Sequence, residues 1–258
     1  MKTELLRRLS PEEEELARKR NELARLQSEL AEQELLLASL QAELAAFEGL
    51  YLRRVGVLYA ELDEWNARLA ELRAEQAGST VARAEAAEAR AQAEETRSAA
   101  HGEAASAVPF TPSPEMKKLY REAAKRCHPD TATNEPDRRR RERLMKEVNC
   151  AYAAGDEEAL RRILDGLGDS PDEVQGSGVA TDLVRVLRQL RQVEDRLKAI
   201  GLAIATISET EVAQLKTKAD LAAVEGRDLL AEMAATVQGR VNVARHEFEA
   251  KSAKGAGR

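Results

Sequence analysis

The feature that most restricts this chain is a column of nine apolar residues at strict seven-residue spacing: Leu16, Leu23, Leu30, Leu37, Leu44, Tyr51, Leu58, Trp65 and Leu72. Seven residues are close to two helical turns, so the column runs along one side of a helix and demands an apolar surface to lie against. A second column completes the seam. Leu26, Leu40 and Phe47 stand three residues after their partners, whereas Val55, Leu62 and Leu69 stand four after. The change sets a 4-4 step at Phe47, Tyr51 and Val55, a stutter that relaxes a left-handed supercoil without ending the helix. Ser10-Pro11-Glu12-Glu13 supplies a cap, a proline in the first turn and carboxylates at the positive end of the dipole. These signals predict one helix over 11–97, about 130 Å long at 1.5 Å per residue. A helical hairpin turning near Gly49 or Gly56 is the competing reading. Residues 81–97, rich in Ala, Glu and Arg, favour helix but offer little to bury.

A second run, Leu183, Val186, Leu190, Val193, Leu197, Ile200, Ile204 and Ile207, is spaced alternately by three and four. It predicts another coiled coil. Beyond it the pattern loosens towards Phe248, with Gly201, Gly226 and Gly239 as weak points, and a helix to about 250 is expected before a disordered tail over 251–258. Residues 98–112 and 166–181, rich in small residues, proline and glycine, read as linkers. The organisation is therefore a coiled coil over 1–97, a compact module over 113–165 and a coiled coil over 182–250. Either the coils pair antiparallel within the chain, or the leucine column pairs with its copy in a homodimer. Three Phe, four Tyr and one Trp leave few large side chains for a broad core, and a third of the residues are charged. With sustained Leu periodicity, that balance points to an all-α protein.

The module carries the chemistry. Ser113-Pro114 opens a helix that must end at Cys127, because Pro129 lacks a donor and restricts the residue before it. His128-Pro129-Asp130 then lies in a loop. A second helix over 137–152 presents Leu144, Met145, Val148 and Tyr152 as one stripe, Gly155 ends it, and 156–164 forms a short third helix. The first two must pack antiparallel, burying Leu119, Ala123, Ala124 and Cys127 against Met145, Val148, Ala151 and Tyr152 and displaying the loop at the tip. The proline-bearing linker is expected to uncouple this hairpin from the coils.

LYREAAKRCHPD, residues 119–130, resembles helix II and the signature loop of the J domain, the part of DnaJ co-chaperones that stimulates ATP hydrolysis by DnaK-type chaperones. VNCAYAAGDEEAL is similar to the end of helix III in that family. The resemblance covers about 50 residues and lacks the family's helix I, whose cover would have to come from Phe110, the 156–164 helix or a coil. It implies that His128, Pro129 and Asp130 engage the chaperone, with the Asp130 carboxylate meeting an arginine. Lys117, Lys118, Arg121, Lys125 and Arg126 match the basic face offered to an acidic chaperone surface, and Tyr120 supports it. Glu122 departs from that pattern. The resemblance implies no reaction on the chain itself.

Other classes find less support. The net charge of −6 arises within residues 1–100, where 20 acidic side chains face 14 basic ones, so the chain as a whole does not read as a nucleic-acid binder. Arg138 to Arg141 have Asp137, Glu142 and Glu147 beside them and read as a solvated helix start rather than a phosphate site. Two cysteines, Cys127 and Cys150, are too few for a disulfide framework and suit a reducing cytoplasm. With three dispersed histidines they give no metal spacing, and no cofactor or catalytic constellation is visible. No apolar run long enough to cross a membrane is expected. The readings left open are a co-chaperone with an unidentified client, a structural coiled-coil scaffold with an inactive hairpin, and an adaptor that touches nucleic acid through 138–143.

Overall fold

The computed structural model describes residues 10–102, 109–132, 134–167 and 178–256. Among these the regular structure is helical throughout: α1 (Pro11–Tyr51), a π-helical turn (Leu52–Gly56), α2 (Val57–Ala77), α3 (Thr80–His101), α4 (Pro114–Cys127), a 3-10 turn (Pro129–Thr131), α5 (Glu135–Ala154), α6 (Glu157–Gly166), α7 (Val179–Ser208), α8 (Glu211–Val224) and α9 (Leu229–Ala256). The chain is all-α. It divides into two compact units, Met1–Ala42 with Phe110–Ser208, and Glu43–Pro109 with Glu209–Arg258.

In the first unit the leucine column and the second periodic run meet each other. Leu16, Leu23, Leu26, Leu30 and Leu37 of α1 are buried with Val186, Leu190, Val193 and Ile200 of α7. The direction differs from the antiparallel pairing expected. Arg20 reaches Asp182 at 2.8 Å and Arg196 reaches Glu34 at 2.7 Å, both 162 residues apart, so α1 and α7 run parallel. The rest of the unit is the α4, α5 and α6 module. Its core holds Leu119, Ala123, Ala124 and Cys127 with Met145, Val148, Ala151 and Tyr152, and adds Leu160 and Leu164 of α6. Ala31 and Leu35 of α1 belong to the same core, and Phe110 packs on its edge.

The second unit overturns the single helix expected over 11–97. Gly78 caps α2 in the left-handed conformation, φ 64°, and Ser79 immediately caps α3 by accepting from the Ala82 amide. Two residues thus stop one helix and start the next. The contacts of Arg90 with Glu71 and Glu64, and of Thr96 with Asp63, show that α3 runs back along α2. The competing turn near Gly49 or Gly56 does not occur, and the helix continues through both. The alanine-rich stretch finds a surface after all: Ala86, Ala93 and Ala100 of α3 and Ala60, Ala67 and Ala74 of α2 are buried, each set at seven-residue spacing. Side chains this small let two helices approach closely, so burial here needs no large residue. The stutter falls where the backbone widens into the π turn, a local underwinding in the sense that the 4-4 step calls for.

Val55, Leu62 and Leu69 then face Leu230, Val237 and Val241 of α9, with Trp65 tilted against Phe248 at 5.7 Å. Arg54 to Asp228 and Arg73 to Glu247 share an offset of 174 residues, so this pairing is parallel as well.

The C-terminal helix expected over 182–250 is three helices. The first break lies at Ser208 to Thr210, where the Thr210 hydroxyl caps α8, and the second at Gly226, with φ 76°. Gly201 and Gly239 stay inside helices. The tail expected to be disordered from 251 is helical to Ala256, and 257–258 lie outside the described residues. Of the expected linkers, α3 reaches into the first as far as His101, and 103–108 and 168–177 lie outside the described residues. One further expectation fails: within Pro11–Ala77 an 18-residue window is apolar and charge-poor enough for length and composition alone to let it cross a bilayer. A core helix of a soluble protein passes the same test.

Candidate functional site

The loop between α4 and α5 is built by capping at both ends. Ser113 opens α4 by accepting from the Met116 amide at 2.9 Å, with Pro114 in the first turn. At the other end His128 leaves the helical region, φ −65° and ψ 129°, as the following proline requires. Its own ring then starts the next element: Nδ1 accepts from the Asp130 amide at 3.1 Å, capping the 3-10 turn Pro129–Thr131. The Thr131 hydroxyl donates back to the His128 carbonyl at 2.7 Å. Asn134 caps α5 by accepting from the Asp137 amide, and Pro136 sits in the first turn.

Arg141, read from sequence as part of a solvated helix start, is a clamp on this loop. One guanidinium nitrogen donates to Thr131 Oγ1 at 2.7 Å and to the Arg126 carbonyl at 3.1 Å, while Nε is held by Asp137 at 2.8 Å. The Arg126 carbonyl is among the last-turn acceptors that α4 leaves without a helical donor, and Arg141 supplies one. Arg138 and Arg139 stay exposed and pair within α5.

His128 is not displayed at a tip. It is 3% exposed, and its Nε2 lies 3.1 Å from Glu34 Oε1 of α1. Because Nδ1 accepts from an amide, the proton belongs on Nε2, and His128 donates it to Glu34. The Asp130 carboxylate, 3.8 Å from Nδ1, is therefore a neighbour and not an ion-pair partner.

Glu34 is itself 4% exposed, and the same oxygen accepts from Nε of Arg196 at 2.7 Å, with Nη2 of that guanidinium in ion-pair range at the same distance. Burial pushes its carboxyl up, but the His128 hydrogen bond and the Arg196 charge outweigh that, and it settles below its ordinary 4.5. Gln189 of α7 donates to the Thr131 carbonyl at 3.2 Å. Two helices outside the hairpin therefore lie over the loop.

Tyr120 does not stand on an exposed face either. It is fully buried, donates to Asn149 at 2.7 Å, and stacks obliquely on Tyr152 at 4.7 Å. Burial first, and then the Glu34 charge, drive its phenol well above the usual range. Tyr152 is in turn covered edge-on by Phe110 at 5.4 Å and shares a 2.9 Å hydrogen bond with Ser39 of α1. Phe110, α6 and α1 together complete the core of the α4 and α5 hairpin.

Of the expected basic face, Lys118, Lys125 and Arg126 are exposed and Lys117 half-exposed, whereas Arg121 is drawn to Glu32 of α1 at 3.0 Å. Cys127 is buried, its thiol donating to the Ala123 carbonyl, and burial pushes it up to about 11. No cluster of three or more His, Cys, Asp or Glu suited to a metal occurs among the described residues.

What remains open at the loop is a cleft of about 490 Å³, walled by Pro129, Asp130, Glu142, Lys146, Asn149 and Arg196. The Asp130 side chain is 17% exposed there. The arrangement can bind, orient and exchange hydrogen bonds, and it holds the loop backbone rigid. Sequence reading missed Glu34, Gln189, Arg196 and Arg141. A signal for the α7 contacts existed: opposite charges at 20 and 182 and at 34 and 196 share one offset. Compared with known protein families, with characterised proteins and with solved structures, the chain matches none.

Proposed function

We propose that this chain is a co-chaperone that recruits a DnaK-type chaperone through His128-Pro129-Asp130 and stimulates its ATPase, with α1 and α7 to α9 serving to choose a client or set assembly. The observation that carries the reading is the loop itself: a His-Pro-Asp turn at the junction of an antiparallel helix pair, with Asp130 at the mouth of an open cleft beside a basic helix. Lys118 and Lys125 are free to steer an acidic partner, an attraction that salt screens. On this reading the protein acts in the cytoplasm and is not an enzyme. The burial of His128 favours the rival, a helical scaffold in which the turn only joins α4 to α5.

Steady-state ATP hydrolysis by a DnaK-type chaperone, with and without the chain, separates the two. Stimulation that Asp130→Asn abolishes, with helical circular dichroism unchanged, supports the co-chaperone. Turnover indifferent to the chain supports the scaffold.

A further inference from the structure

His128 is the residue that a chaperone would have to meet, and it is the one that α1 and α7 cover. Glu34 holds its ring at 3.1 Å, Arg196 holds Glu34 at 2.7 Å, and Gln189 holds the Thr131 carbonyl at 3.2 Å. Ala31 and Leu35 keep α1 seated on the hairpin core while these contacts form. The cleft beside Asp130 admits a side chain, but a folded partner cannot read all three loop residues with both helices in place.

The covering contact is polar, and that matters. Inside the protein the shared carboxylate is strong and directional. Once the helices lift, however, Glu34, Arg196 and His128 all regain water, so much of their interaction is replaced by hydration. Arg196 is already 39% exposed at its side chain. The apolar seat of Ala31 and Leu35 on the hairpin core opposes opening beside this polar contact and keeps the closed form the resting one.

We propose that Glu34 and Arg196 form a latch over His128, and that release of α1 and α7 from the loop is the step that regulates chaperone engagement. The inference rests on the co-chaperone reading. The contact it invokes is nonetheless measurable without a chaperone.

The experiment has two arms on the full chain. Acylation by diethyl pyrocarbonate, followed peptide by peptide, reads His128 against exposed His101 and His246 as internal standards. His128 should react at least about tenfold more slowly than the other two, as a group protected by a local opening equilibrium does. Glu34→Ala keeps a strong helix former in α1 but leaves a buried imidazole N–H without an acceptor, which favours opening. In that variant His128 should gain about tenfold in rate, and half-maximal chaperone stimulation should need about tenfold less protein. Arg196→Ala, at a half-exposed site, is the second variant should Glu34→Ala lose its helical signal.

Reactivity of His128 equal to that of the standards in the unaltered chain overturns the latch. So does an unprotected His128 with unchanged stimulation. Absence of stimulation in every form, the opened ones included, sinks the co-chaperone reading and the regulation with it, whereas equal stimulation by closed and opened forms sinks the latch alone.

Discussion

Two antiparallel helical hairpins among the described residues, α2 with α3 and α4 with α5, are sealed in opposite ways. In α2 and α3 the seam is alanine against alanine and the connection is Gly78-Ser79, as short as a helix stop and a helix start permit. In α4 and α5 the seam holds Tyr120, Tyr152, Met145 and Val148, too bulky to close on itself, so α6, Phe110 and α1 complete the core. Its connection runs from His128 to Asn134, and its hydrogen bonds reach α1 and α7 as well as α5 of its own pair. A turn that only reverses the chain needs two residues. A longer loop held at this many points is fixed in place by helices beyond its own pair.

The contrast can be broken most severely by Leu37→Pro. Proline removes a helical hydrogen bond and clashes with the preceding turn, about 3 kcal/mol or more. Because Ala31, Leu35 and Ser39 of α1 serve the tyrosine core, the α4 and α5 hairpin should loosen with the helix, contrary to the independence that the linker implied. Urea unfolding followed by tyrosine fluorescence would show it, and a hairpin signal unmoved by the substitution would mean that the module closes without α1.

Ala67→Leu tests the other hairpin. Ala67 is fully buried at the α2 and α3 seam, and three extra carbon atoms cannot be absorbed where small residues meet, so a loss of about 1–3 kcal/mol is expected in thermal or urea unfolding. An equal-sized effect from Ala77→Leu at the exposed end of α2 would remove the case for a tight seam.

Gly78→Ala should cost about 1 kcal/mol. A Cβ there meets nothing within 4 Å, yet φ 64° is left-handed, so the penalty is backbone strain alone. Gly201→Ala, helical and equally unobstructed, should instead be neutral or stabilising.

The smallest effect is the pH dependence that Glu34 confers. Its carboxyl lies below 4.5 in the folded chain, so its contribution is fully present above that value and is lost as pH falls through the lowered one. Stability measured down through the acid range should therefore fall less steeply in Glu34→Gln than in the unaltered chain. Parallel curves would show that the buried carboxylate contributes nothing through its charge.

Helix formation and its punctuation were legible residue by residue. The start at Ser10-Pro11, the end of α4 before Pro129, the stutter near Tyr51 and the cap at Ser113 follow from periodicity and from groups within four residues of one another. Gly78-Ser79 and Thr210 are local signals of the same kind, but the alanine-rich stretch after the first has a helix propensity that carries a single helix across it, and no glycine marks the second. The core of the α4 and α5 hairpin was readable because adjacent helices on a short loop must pack.

The sequence by itself determined the all-helical class, the apolar columns and the residues that cap most helices, because each depends on local geometry. Only the tertiary structure decided that α1 meets α7 in parallel at an offset of 162, that two alanine columns face each other, and that Glu34 meets His128 across 94 residues. A heptad column accepts any complementary column in either direction, so its partner is chosen by the sum of distant contacts. That choice set a loop expected to stand at an exposed tip beneath α1 and α7, with Asp130 left at a cleft.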